Sequence, residues 1–141
     1  MLMTNMGTQG LQEFHLDGVH CALQIKRYPG GVVILTISGT DIGEFGARPM
    51  LALKEWVVDA EPVRLFIDAR EVRGASISVS GEWAIWLRAQ KANLQSISML
   101  TGSRYVEITA DFVRRFAELE SIMRVYTDPV AFDAALAEAI A

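Results

Sequence analysis

The residue types able to do chemistry fall into a few groups along this sequence of 141 residues. His15, Asp17, His20 and Cys21 form the one cluster of metal-ligand donors, but their spacing matches no zinc motif, and catalytic metal sites draw at least three protein ligands. Exposed strand positions are the simpler account of both histidines, so no metal and no cofactor is expected. Asp68 follows the apolar run Val63 to Ile67, where a parallel strand should end and where ligands of α/β sheets gather. Metal-dependent phosphoryl transfer there would need an acidic pair after the first parallel strand and a lysine after the last, where Thr127-Asp128 stand instead. Asp68 is expected to cap the following loop or to pair with Arg70 or Arg73.

Ser80 precedes a helical stretch, so it either binds or carries a phosphate at free N–H groups or is itself the N-cap. No histidine outside the N-terminal cluster is available to activate a serine. Neither G-x-x-x-x-G-K nor G-x-G-x-x-G occurs, which removes nucleotide binding through a glycine-rich loop. No catalytic residue is therefore assigned, and the chain is expected not to be an enzyme. Trp83, Trp86 and Leu87 on one helix, with Phe112 and Phe116 on the next, either line an apolar slot or fill the core. Arg104 with Arg114 and Arg115 either make a local anion site or are solvated helix-face residues.

The elements that must position these groups follow from periodicity and turn residues. Residues 1–12 read as a disordered terminus and residues 13–141 as a single domain. Val19 to Arg27, the turn Pro29-Gly30-Gly31 and Val32 to Ile37 read as an N-terminal β-hairpin. The consecutive apolar residues of the second strand predict cover on both faces. Asp41 and Glu44 have capping-box spacing, while Pro49 requires the first helix to begin near Arg48 or to bend there.

Met50, Leu53 and Val57, with Leu51 and Val58 beside them, then make its packed face, ended by Glu61-Pro62. Val63 to Asp68 is a strand, Ala69 to Ser80 a loop, and Gly81 to Ala92 a helix capped by Ser80. Leu94 to Leu100 is a third parallel strand, and Arg104 to Thr109 reads equally as loop or short strand. Ala110 to Glu120 is a helix with Phe112, Val113, Phe116 and Leu119 as its buried stripe. Ile122 to Thr127 is the last strand, and Asp128-Pro129 starts a final helix through Phe132, Leu136 and Ile140. The order ββαβαβαβα predicts an α/β domain with a mixed, mostly parallel sheet, right-handed crossovers and helices packed on the sheet.

Composition narrows the function. The 51% hydrophobic and 21% charged residues are those of a folded domain, and the length suffices to bury a core without disulfides. A net charge of −4 with interspersed acids and bases argues against nucleic acid, which needs a concentrated basic face. Cys21 is the only cysteine, which points to a reducing compartment. The start lacks the features of a signal peptide and no apolar run is long enough to span a bilayer, so a cytoplasmic protein without a transmembrane segment is expected. The generous apolar fraction is compatible with a homodimer.

In three stretches this sequence resembles the SpoIIAA-like family, the STAS/SEC14-type domains that share a fold with anti-sigma-factor antagonists. These are Val32 to Gly39 followed by a helix, Val63 to Arg70, and Met123 to Asp128 leading into Ala131 to Ile140; the resemblance spans about residues 20 to 140. It implies a regulatory binding domain. Anti-sigma-factor antagonists carry a phosphorylatable serine in a loop resembling Asp-Ser-Ser-Gly at the start of a helix. The matching stretch here is Gly74 to Gly81, in which Ser80-Gly81 is nearest and the preceding Asp-Ser pair is absent. That departure favours the STAS/SEC14-type branch, for which small apolar or lipid-like ligands and regulatory roles are considered. The resulting expectation is a ligand held between sheet and helices by Trp83, Trp86, Phe112 and Phe116. The alternative is a protein-interaction module controlled by phosphorylation at Ser80, with a regulatory protein partner.

Overall fold

The computed structural model describes residues 11–57 and 62–141. Its elements are β1 (Gln12–Asp17), β2 (Cys21–Tyr28), β3 (Val32–Asp41), α1 (Arg48–Val57), β4 (Val63–Ala75), α2 (Ile77–Ala89), β5 (Leu94–Thr101), α3 (Arg104–Phe116), β6 (Met123–Tyr126) and α4 (Pro129–Ile140). The strands lie in chain order in a six-stranded sheet. β1, β2 and β3 are antiparallel neighbours, and β3 to β6 are parallel. A mixed, mostly parallel α/β sheet with an N-terminal antiparallel hairpin and four helices is thus what the sequence specifies.

Because the parallel strands step in one direction, the crossovers between them share a hand and put their helices on one face. Leu53, Trp56 and Val57 of α1, Ala84 and Leu87 of α2, and Val113 of α3 all pack against Val33, Leu35, Leu65, Ile67 and Ile97. α4 closes part of the opposite face, where Phe132 meets Val32, Ile34, Phe66 and Leu100. All of Val32, Val33, Ile34 and Leu35 are accordingly buried, as expected for a strand covered on both sides.

Several boundaries differ from the sequence reading. A strand, β1, precedes the expected hairpin, so the order is βββαβαβαβα, and Val19 and His20 lie in the β1–β2 connection. Its signal was the alternation of Glu13, His15 and Asp17 with Phe14 and Leu16; the latter two pack on the core. Of the segment 1–12, residues 1–10 lie outside the described residues, while Gln12 pairs with Arg27 in the sheet. Val58 and Glu61 also lie outside the described residues.

The stretch Ala69 to Ala75, expected as loop, continues β4. Its charged residues are held in a bulged parallel ladder against Ser38 to Asp41. Consequently α2 begins earlier, with Ser76 as its N-cap, and Ser80 sits in the second turn donating its N–H to the Ser76 carbonyl. α3 likewise begins at Arg104, capped by Ser103, so Arg104 to Thr109 is helix. The inward stripe also differs: Val106, Ala110 and Val113 are buried against the sheet, whereas Phe112 and Phe116 are 56% and 51% exposed. Asp41 and Glu44 form no capping box, and α1 starts at Arg48 with Pro49 in its first turn. The last helix is as expected, with Asp128 accepting from the Val130 N–H and proline at its start.

Candidate functional site

Two long strands end against two serine-capped helices, and a cavity of about 100 Å³ remains between them. Its floor is Leu35 and Ile37 of β3, Ile67 and Ala69 of β4 and Met99 of β5. Its walls come from Val79, Ser80 and Trp83 of α2 and from Tyr105, Val106, Thr109 and Ala110 of α3. This is the carboxyl end of the parallel strands, where α/β sheets place their ligands. The cavity persists because the facing positions of β4 and α3 are small or β-branched, Ala69 and Ala75 opposite Val106 and Ala110. Such side chains cannot reach across the gap.

Local contacts set the frame. The Ser76 side chain accepts from the Val79 N–H at 3.1 Å and the Ser103 side chain from the Val106 N–H at 3.2 Å, satisfying a free donor at each helix start. Asp41, the carboxylate of the lining, accepts the Gly43 N–H at 3.0 Å through Oδ1, and its carbonyl accepts the Ser76 N–H at 2.9 Å. It thereby joins the end of β3 to the start of α2. Gly39 supports the same bend with φ +84°, and a Cβ there would strike the His20 carbonyl oxygen. Glu44 reaches back to the β1–β2 connection, accepting the Val19 and His20 N–H groups at 3.0 and 2.9 Å. Burial raises the Glu44 pKa, but the backbone donors of His20 and Val19 outweigh it and hold the carboxyl below its ordinary value.

The expected site residues are distributed unevenly around this cavity. Trp83 lines it, edge-to-face with Trp86 at a centroid separation of 6.1 Å, while Trp86 packs beside the core. Phe112 and Phe116 stack on each other at 5.7 Å on the outward side of α3, away from the cavity. Ser80 is half-buried on the cavity wall. Among the lining residues that the sequence reading did not single out as such are Tyr105, Val106, Thr109, Ala110 and Asp41. Val106, Ala110 and Val113, at helical spacing, were the signal for the α3 wall, obscured by starting the helix at residue 110.

The other groups do structural work. Asp68 pairs with Arg70 at 3.0 Å, and Arg70 also binds Asp133 of α4 at 2.5 Å, joining sheet to helix. Hydrogen bonds to Asp133 and then Asp68 raise the Arg70 pKa. His15 lies 3.4 Å from Glu13 at an exposed strand position, and among the described residues no three metal-ligating groups converge. Burial, then the charges of Asp41 and Glu44, push the Cys21 thiol up to about 11, leaving little nucleophilic thiolate at neutral pH. No helix among the described residues is long and apolar enough to cross a membrane.

Comparison with known proteins gives the fold a precedent. An uncharacterised protein of the DUF3478 family with a SpoIIAA-like fold, from Shewanella loihica PV-4, superposes with a TM-score of 0.61 at 13% identity, covering 86% of this chain and 98% of its own. An anti-sigma factor antagonist from Mycobacterium paratuberculosis superposes with a TM-score of 0.54 at 16% identity, covering 86% and 99%. No protein-family model and no curated protein matches the sequence. The chain has a SpoIIAA-like fold.

Proposed function

We propose that this chain is a non-catalytic regulatory domain that takes a small apolar or lipid-like ligand into the cavity between the sheet, α2 and α3. The carrying observation is the lining itself, in which Trp83 and aliphatic side chains surround a gap at the carboxyl ends of parallel strands, with few polar groups to fix orientation. Asp41, Ser80, Thr109 and Tyr105 are those polar groups. At about 100 Å³ the gap suits a single ring or the end of an alkyl chain, with the rest of the ligand leaving through the mouth. Trp83 is retained from the expected aromatic set; Trp86 stands behind it, and Val106 and Ala110 replace Phe112 and Phe116.

The test is native mass spectrometry of protein purified from its own host, with Ala110→Leu as the filled-cavity variant. A small molecule retained by the unaltered chain and lost from the variant supports the reading; bare protein in both counts against it. Leucine at position 110 occupies empty space, so its stability should stay within about 1 kcal/mol of the parent. A urea melt checks that.

A second reading, a protein-interaction module switched by phosphorylation at Ser80, draws on the likeness to an anti-sigma factor antagonist. Ser80 is half-buried, and Ser76 caps the helix in its place, so a kinase would have to draw the Ser80 hydroxyl out of the cavity wall. A phosphate seen on the intact mass of the same sample would favour this reading.

A further inference from the structure

The cavity beneath α2 and α3 continues past the end of β3. A small void of about 10 Å³ adjoins it and shares Asp41, Val79 and Trp83 with it. The void in turn shares Gly43, Met50 and Glu82 with an open groove of about 400 Å³ at the surface. Among the described residues, the charged side chains that line these three spaces are Asp41 and Glu82, and none is basic.

Asp41 is the inner of the two, lining the cavity itself and only 9% exposed. Its Oδ1 accepts the Gly43 N–H at 3.0 Å, which fixes the side chain. Its Oδ2 has no donor, and no cation pairs with the carboxylate, among the described residues. Folded proteins ordinarily pair a buried carboxylate, because taking the charge out of water costs more than one hydrogen bond returns. Beside it stands Trp83, which lines both the cavity and the void, and the face of an indole ring attracts cations.

Resting on the ligand-binding reading given above, we propose that the occupant is a protonated amine on an apolar body. The body fills the cavity, the ammonium donates to Asp41 Oδ2 beside Trp83, and Glu82 lies further out along the way to solvent. An ammonium brings three N–H donors and the charge that turns this contact into a charge-assisted hydrogen bond. A neutral alcohol can donate one O–H to the same oxygen but leaves the buried charge uncompensated. A carboxylate would meet a like charge with no basic side chain in the lining to offset it. The ligand class is thereby narrowed to cationic amphiphiles, and fatty acids are excluded.

The probes are 2-phenylethylamine, 2-phenylethanol and 3-phenylpropanoate, which share a ring and differ in charge. Each is titrated into isotope-labelled protein at neutral pH and constant ionic strength and followed by amide NMR. Saturable shifts centred on Asp41, Ser80, Trp83 and Thr109 are expected, with the amine bound about tenfold tighter than the alcohol and the carboxylate not bound. Asp41→Asn keeps an oxygen for the Gly43 N–H, so it should fold as the parent does and bind the amine no better than the alcohol. The ratio of amine to alcohol affinity in the unaltered chain needs no variant. Equal affinities there, tighter binding of the carboxylate, or an amine preference that survives in Asp41→Asn would overturn the amine assignment. The cavity reading would then still stand if Ala110→Leu abolished binding of the alcohol. Failure of all three probes to bind the unaltered chain would remove the cavity reading and the amine assignment together.

Discussion

The two faces of the sheet solve the same packing problem differently. On the α4 face, Phe132 is fully buried and meets Phe66 and Tyr126 edge-on, at centroid separations of 5.9 and 5.7 Å. Large rings at the edge-to-face distance fill the space beneath one helix. On the face beneath α1, α2 and α3, much of the contact is also buried and apolar, but at the carboxyl end of the strands alanines and valines line a gap. Aromatic content does not decide which face is closed: Phe112 and Phe116 stack just as closely as the buried rings, yet in solvent. What matters is whether the ring points at the sheet.

The sharpest way to break this comparison is Phe132→Ala. Removing a fully buried ring from the helix that packs on this face should cost about 3–5 kcal/mol by loss of transfer energy and creation of a cavity. Chemical denaturation would measure it, and a loss below about 1 kcal/mol would mean that the α4 face is not the closed one described.

A smaller effect concerns the rim of the three-helix face, where Glu44 ties the β1–β2 connection to the loop before α1. Its folded pKa is lowered, so the unfolded chain binds the proton more readily, and the contribution to stability is present above the unfolded value of about 4.3. It is lost as pH falls through the folded value. Glu44→Gln should therefore lower stability at neutral pH and flatten the acid limb of stability against pH, read from urea midpoints. An unchanged acid limb would remove the clamp from the account.

The smallest effect is expected from Phe112→Ser with Phe116→Ser. Because both rings are half-exposed, stability should change by no more than about 0.5 kcal/mol each. A loss comparable with that of Phe132→Ala would show that these rings are covered in the functional protein.

Much of the scaffold was legible because its signals are local. The β-branched run Val32 to Ile37, the Pro29-Gly30-Gly31 turn and the Asp128-Pro129 start of α4 each act within a few residues, through side-chain shape, allowed φ and capping. Sequence separation also hid little at Asp68, whose partner Arg70 is two residues away.

The cavity was legible only in part. From the sequence Ser80 reads as a cap because the apolar run of β4 ends at Asp68; the strand continues because its stretch Arg70 to Arg73 finds a ladder on β3 and, at Arg70, a carboxylate on α4. Once that strand is longer, the cap passes to Ser76, α2 shifts by a turn and Ser80 rotates onto a wall. In the same way Ser103 starts α3 earlier, which brings Val106 into one inward stripe with Ala110 and Val113 and leaves Phe112 and Phe116 on the outward side.

By itself, then, the sequence determined the order and most of the types of the elements from β2 onward, the parallel sheet with its antiparallel beginning, and the burial of β3 on both faces. These follow from period, turn chemistry and hydrophobic burial, which act along the chain. Tertiary structure alone decided where β4 ends and which face of α3 looks inward, because each depends on a partner brought close by folding.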